Sequence, residues 1–514
     1  MPQPLAFAIS PLERAVAVGA VTSTSARLWF RAPSSGPYTL LLRREGGRAQ
    51  RLALPCAPRP GADGTCAFTL PGDVPGAPAL RPDTPYSFEL GSAGERLGEG
   101  RFHTAPDAHP PERLAFGLVS CHQPFDPHGR VREDARAVLR AAQEAYARAG
   151  VRFVLWTGDQ LYADQPERLS LYAPAYFAPR APAGRARLQA CTAAEVRRLY
   201  QARYREFWAL PELQALQAQF PGYPMLDDHD VVNNWGSDPA HAGPGWRSVR
   251  QGALAAYRDY QGSRVGSARA SGSLHYAFDW GPVGLFVLDL RTGRRVEREG
   301  EEGGGRVLAP RQLSALARWL AARASAPALF VVAGVPPVFL PRWAATLIGR
   351  VARTKPNEGA DRWSHRHFVR ERDALLRLLH AHQRAHPRQR LVLLSGDVHV
   401  GSALALRWPD APPSYQLTSS ALTNAPRELL GPLVARSAPH VHRLLRVDGG
   451  ARPVRVRVDP LPGAAARGRN PYGGLNFGLV EVDLREPAQA RVSLRLLAAG
   501  RGGAPRAVFE SGPL

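Results

Sequence analysis

Asp159, Asp228, His229, Asp397 and His399 are the residues of this sequence best suited by type and spacing to hold metal ions and hydrolyse an ester. They lie in three short, distant segments: Gly158-Asp159-Gln160-Leu161-Tyr162, Asp227-Asp228-His229-Asp230 and Gly396-Asp397-Val398-His399. The first follows Phe153-Val154-Leu155-Trp156, and the last follows Leu391-Val392-Leu393-Leu394-Ser395. In both, an apolar strand breaks at Gly and presents hard oxygen or imidazole donors. Two cations a few ångströms apart need about this many anionic and imidazole ligands on rigid elements; such a pair activates water and neutralises phosphoryl charge. One segment alone could be a helix cap or a surface carboxylate. The three together predict a two-metal hydrolase.

The neighbouring residues sharpen the chemistry. Tyr162 lies three residues beyond Asp159, so one turn can offer a carboxylate and a phenolate, a hard anionic donor suited to ferric iron. Asp228 is placed to bind metal while His229 reaches the leaving group, with a further carboxylate of the same segment fixing the imidazole tautomer. Asn233 and Asn234 follow within one turn and offer neutral donors, Asn233 to a metal and Asn234 to substrate. His399 is two residues from Asp397, on the same side of an extended turn. Cys121 ends the strand Phe116–Ser120 and is either a thiolate ligand or inert packing. Arg291, in Asp289-Leu290-Arg291, suits a bidentate grip on a phosphoryl oxygen, and a salt bridge to Asp289 is compatible with that role.

The elements that must position these residues change character along the chain. Residues 1–108 alternate apolar and polar positions in short runs such as Ala26–Phe30, Tyr38–Leu42 and Tyr86–Leu90, separated by Ser/Gly/Pro turns, which predicts an antiparallel β-sandwich. The stretch Leu80–Tyr86 resembles the end of a fibronectin type III-like domain, where a Tyr hydroxyl pins a corner. Residues 106–111 read as a linker. From 112 to 514 strands and helices alternate: strands near Leu114–Ser120, Val151–Trp156, Val283–Leu288, Leu329–Ala333 and Leu391–Ser395, and helices near Glu133–Ala149, Trp246–Tyr260, Arg311–Ala322 and Phe368–His386. That pattern implies parallel strands covered by helices. Beyond Tyr415 strands dominate again, so the expected class is α/β, a sandwich of two packed mixed sheets. Stretches 163–190, 291–308 and 341–365 read as insertions.

Composition narrows the function classes. The 514 residues, 44% hydrophobic and 21% charged, exceed one typical core and match a globular chain. No apolar run is long enough for a membrane span. A net charge of +22 favours anionic partners, although an Arg-rich codon bias would produce the same excess. Neither zinc-finger spacing nor aromatic-interleaved basic repeats occur, which argues against a specific nucleic-acid reader. Cys56 and Cys66 flank a Pro/Gly turn and are either a hairpin disulfide or two free thiols. No secretory signal is visible, so the expected compartment is cytoplasmic by default, or periplasmic or secreted if a leader precedes this sequence.

Taken together, Ser120-Cys121, the Gly-Asp-x-x-Tyr element, Asp227-Asp228-His229-Asp230, Asp289-Leu290-Arg291 and Gly396-Asp397-Val398-His399 resemble the PhoD-type alkaline phosphatase/phosphodiesterase family, within the calcineurin-like metallophosphoesterases. The resemblance spans nearly the whole chain, and the tyrosine element is also similar to that of purple acid phosphatases. It implies Cys121, Asp159 and Tyr162 as ligands of a ferric site. It puts Asp228 where the wider superfamily has a metal-binding Asn, His229 at the leaving group, and Asp397 and His399 at a Gly-His-x-His pair. It further implies a dinuclear or larger cluster of Fe3+ with Ca2+ (or Zn2+, Mn2+ or Mg2+) and alkaline hydrolysis of phosphodiesters and monoesters by metal-bound hydroxide. The competing expectations are a non-catalytic adhesion module with a vestigial metal site, and hydrolysis of a non-phosphate ester or a pyrophosphate bond.

Overall fold

The computed structural model describes residues 5–33, 36–92, 94–107, 111–266, 272–296, 305–339, 359–424, 444–450, 452–464, 469–486, 488 and 490–514. The strand Arg113–Val119 shows why the α/β pattern arises. Leu114, Phe116 and Leu118 enter a core between two sheets, while Ala115 and Val119 enter a second core on the other face. Alternation thus continues with both faces apolar, as a strand covered on both sides requires. The second face receives the helix Glu133–Arg148 through Val138, Leu139, Ala142 and Tyr146. Gly117 lets that helix approach, since a Cβ there would collide with the Tyr146 ring. Glu133 and Asp134 in the first turn and Arg148 in the last complement the helix dipole.

Two mixed sheets face each other across the first core. One has six strands in the order Gly222–Pro224, Val154–Trp156, Arg113–Val119, Phe477–Asp483, Arg491–Ala499, Pro505–Pro513. The other has eight: Tyr276–Trp280, Val283–Val287, Ala328–Ala333, Arg390–Ser395, Ser414–Thr418, Ser402–Arg407, Val454–Pro460, Leu444–Val447. Phe116 of the first meets Phe330 of the second edge-on, ring centroids 5.0 Å apart. The first three strands of the six run parallel, as do Val283–Val287, Ala328–Ala333, Arg390–Ser395 and Ser414–Thr418 in the eight. Helices Gln312–Ala321 and Val369–Ala385 close the outer face of the eight-stranded sheet.

Residues 15–103 form two further antiparallel sheets, Ala15–Val21, Ala26–Arg31, Thr65–Leu70 and Ala49–Leu54, Tyr38–Arg44, Pro85–Ser92, Glu95–His103. The Arg81 backbone N–H donates to the Tyr86 hydroxyl at 2.9 Å, forming the expected corner. These sheets are docked: Trp29 Nε1 donates to the Asp259 carbonyl at 2.8 Å, and the Tyr223 hydroxyl bonds both N–H and C=O of Val21 at 3.0 Å. Cys56 and Cys66 are free thiols.

The stretch 163–190 is no loose insertion. Leu169, Leu171, Tyr176, Phe177 and Leu188 bury their side chains in the core beside helix Ala193–Phe207. Of the other two expected insertions, residues 297–304 and 341–358 lie outside the described residues, as do 108–110 of the expected linker. No helix among the described residues is long and apolar enough to cross a membrane.

Candidate metal centre

Parallel strands in two facing sheets bring their C-terminal ends to one edge, where ligands bind in open α/β sheets. Cys121 follows Val119 by two residues, Asp159 follows strand Val154–Trp156, Asp227 and Asp228 follow Gly222–Pro224, and Asp397 follows Arg390–Ser395. The turns there are tight: Cys121, Asp159, Asn234, Asp397 and His399 all have positive φ, between 55° and 64°. Non-glycine residues in that region carry local strain, which concentrates at functional sites. Gly158, at φ 90°, has no alternative residue, because a Cβ would also collide with Asp227.

The three distant segments converge. Asp159, Asp228 and His229 form one group of donor atoms within 4.8 Å of one another, and Asp227, Asp228 and Asp397 form a second. Asp228 belongs to both. Against Asp159 Oδ2 lie the Cys121 thiol at 3.5 Å and the Tyr162 hydroxyl at 3.2 Å, each donating to it. The Tyr162 ring stacks on His229 with centroids 4.2 Å apart. His399 stands outside both groups, its Nε2 3.3 Å from Asn424 Nδ2. Asn233 contributes its backbone N–H to Asp164, and Asn234 its N–H to Asp228 Oδ2.

These donors fit cations. Asp227 Oδ2 is buried without a hydrogen-bond partner, a costly state for a carboxylate oxygen, and Asp228 Oδ1 accepts no hydrogen bond and has the Arg291 guanidinium 3.3 Å away. Burial, then Asp228, Asp227 and Asp397, push the Asp159 carboxyl well above its ordinary value. Burial also raises Asp227, Asp397, the Cys121 thiol and the Tyr162 phenol. So many enclosed acids repel one another unless positive charge is added. Within the cluster, Arg362 pairs with Asp397 and Arg291 with Asp227. The acidic oxygens, imidazole and thiol are the donor types of a mixed hard and borderline metal cluster.

A family profile of PhoD-like phosphatases matches residues 116–488, a span that holds all of these donors. This chain belongs to the PhoD-like phosphatase family. Membership makes it a phosphoesterase, and the fold agrees. The structure of PhoD superposes with a TM-score of 0.61 at 15% identity, covering 98% of this chain and 93% of that one. A purple acid phosphatase from yellow lupin (Lupinus luteus) seeds superposes with a TM-score of 0.53 at 10% identity, covering 98% and 74%. At these identities the likeness is one of fold. No match was found among curated protein sequences.

Around the centre, this PhoD-like phosphatase uses residues that sequence spacing does not single out. His229 Nδ1 lies 2.7 Å from Asp164 Oδ1, so its carboxylate partner is Asp164 rather than Asp230 of its own segment. Asp230 instead braces the turns, accepting the N–H groups of Asp159 and Asp227 at 3.2 and 3.0 Å. Arg291 is fully buried; its guanidinium meets Asp227, sits 3.3 Å from Asp228 and holds Asp361 bidentately at 2.7 and 2.9 Å. From there it orients carboxylates, and contact with a substrate oxygen requires one of those pairs to open. Asp289 receives the Arg291 backbone N–H at 3.1 Å, not its side chain. The Ser420 hydroxyl donates to Cys121 Sγ at 3.2 Å. Ser420 and Asn424 follow strand Ser414–Thr418 without a Gly-Asp step, so no local pattern singles them out.

Proposed function

We propose that this phosphatase hydrolyses phosphodiesters and phosphomonoesters, best at alkaline pH, with a dinuclear or larger cluster of Fe3+ and Ca2+. The observation that carries the reading is Asp228, the one carboxylate that belongs to both donor groups and so would help hold a cation on either side. Cys121, Asp159 and Tyr162 are assigned to the ferric side. Asp227 and Asp397, with His399 and Asn233 at the margin, are assigned to the second side. Cations held there would supply a nucleophilic water at neutral pH and neutralise phosphoryl charge.

The chain's own groups do the rest. Asp164 accepts from His229 Nδ1, sets the ring orientation and stabilises the imidazolium, so Nε2 donates its proton to the departing oxygen. Arg291 fixes Asp227 and Asp228 and adds positive charge beneath the phosphoryl group; Asn234 offers its amide to a substrate oxygen. Residues 1–108 act as a fibronectin type III-like unit docked on a catalytic unit of residues 112–514.

The test is direct. Asp159→Asn and Asp397→Asn should each abolish turnover of nitrophenyl phosphate mono- and diesters while circular dichroism and cooperative unfolding persist. Full turnover in either variant refutes the ligand assignment, and faster cleavage of nitrophenyl acetate than of the phosphate esters refutes the substrate class.

A further inference from the structure

A second cavity, of about 510 Å3, opens where the four-stranded sheet of residues 38–103 meets the catalytic layers. Its volume is that of a small-molecule site. It is remote from the metal centre. Arg152, on its wall, precedes strand Val154–Trp156, and Asp159 follows that strand, so the two sites lie roughly 20 Å apart at about 3.3 Å per residue.

The lining has two parts. One is cationic: Arg43 and Arg101 from the β-sandwich and Arg152 from the catalytic layers. None of these three forms an ion pair among the described residues. Arg101 donates to the Gln219 side-chain oxygen at 3.2 Å, and Arg152 donates to His103 Nδ1 at 2.6 Å. His103 in turn bonds Asp83 at 2.8 Å through Nε2, so the nearest acid reaches Arg152 only through a ring. Burial, together with Arg152, holds His103 below its ordinary value, which keeps it a neutral acceptor for the guanidinium. Glu45 is the one acid among the lining residues, and it is exposed. The other part is apolar and aromatic: Tyr86 stacks on Phe102 with centroids 5.3 Å apart, and Phe220 packs on Tyr146.

We propose that this cavity is a second ligand site, which takes a small phosphate monoester. The guanidinium groups recognise the phosphate, since Arg matches its oxygens bidentately and a half-buried cation without a carboxylate gains most from an anion. Tyr86, Phe102, Tyr146 and Phe220 are buried and packed on one another, so they floor the cavity and leave the phosphate as the group the site recognises. Because both the β-sandwich and the catalytic layers contribute cations, the site exists only while the two are docked, and its ligand stabilises that docking.

Calorimetric titration of the full-length Asp228→Asn protein with AMP tests this. That substitution disables the shared carboxylate of the metal centre and leaves the cavity intact. One AMP per chain should still bind, tenfold or more weaker in the Arg43→Gln/Arg152→Gln background, with adenosine binding at least tenfold weaker than AMP. Arg43 is exposed, so Arg43→Gln alone provides a folded control and should weaken AMP at least twofold. Absence of AMP binding to Asp228→Asn, or affinity unchanged by the Arg substitutions, overturns the proposal. Inorganic phosphate binding more tightly than AMP overturns the assignment of an ester rather than free phosphate.

Discussion

His229 Nδ1 and Asp164 Oδ1 are 2.7 Å apart, and the other oxygen of Asp164 accepts the Asn233 N–H at 3.0 Å. Burial alone would raise the Asp164 carboxyl, but His229 and that N–H outweigh it and hold it below the usual carboxylate range. The pair therefore persists down to acidic pH. Asp164→Asn should lower kcat about 10–100-fold, the usual effect of losing such a partner, with KM nearly unchanged. The alkaline limb of the kcat profile should move to lower pH as well, because the imidazolium that donates the proton loses its counter-charge. Steady-state kinetics from pH 5 to 10 check this; an unchanged kcat would remove His229 from proton transfer.

Asp228 in both donor groups predicts unequal metal losses. Asp228→Asn should leave less than one metal per chain, whereas Asp397→Asn should retain the iron held by Cys121, Asp159 and Tyr162. Elemental analysis of purified protein distinguishes the two. Two full equivalents in Asp228→Asn would show that no shared ligand exists.

Tyr162 beside Asp159 predicts colour. A tyrosinate bound to ferric iron absorbs visible light, and Tyr162→Phe should abolish that band while Asn234→Ala leaves it. A colourless wild-type protein with full activity on zinc or manganese rules out iron.

The buried acids predict how metal stabilisation depends on pH. Burial raises Asp230 to about 7, and Asp159, Asp227 and Asp397 are also raised. In metal-free protein a carboxyl raised by folding contributes stability that is lost as pH rises from about 3.9, its unfolded value, through its folded value. Buried His122, lowered to about 4, acts oppositely between that value and about 6.5. The difference between metal-loaded and chelated protein cancels the histidine. Cations must displace protons from the acids, so that difference in unfolding midpoint should grow from pH 6 to pH 8. A difference that shrinks with rising pH contradicts the assignment.

Asp63 predicts that the β-sandwich and the catalytic layers unfold together. It pairs with Arg31 of strand Ala26–Arg31, Arg205 of helix Ala193–Phe207 and the Tyr260 hydroxyl. Asp63→Ala leaves those partners unpaired at a cost of about 3 kcal/mol. Scanning calorimetry should show one transition, displaced downward in the variant. Two separate transitions, with only the first displaced, would show independent units.

The strand–Gly–Asp segments were legible because their signal is local. An apolar run, a glycine and a carboxylate are neighbours in sequence, and the carboxylate residue takes a positive φ at both Asp159 and Asp397. The helix expected at Trp246–Tyr260 matches its observed limits for the same reason, an apolar face at helical spacing. Asp227 is a donor that the spacing of its segment does not single out. Strand alternation would aim only one of two adjacent side chains at the site, and the strand Gly222–Pro224 has already ended there.

The sequence by itself determined the elements, the class of chemistry and most of the donors, because periodicity and turn residues act over a few positions. Tertiary structure alone decided which charge faces which: Asp164 rather than Asp230 against His229, Asp361 and Asp227 around Arg291, Asn424 beside His399. Those pairings join residues up to 70 positions apart in the hydrogen-bonded cases of Arg291 and Asp361. Coulombic and hydrogen-bond partners follow distance in space, which only the packing of the two sheets sets.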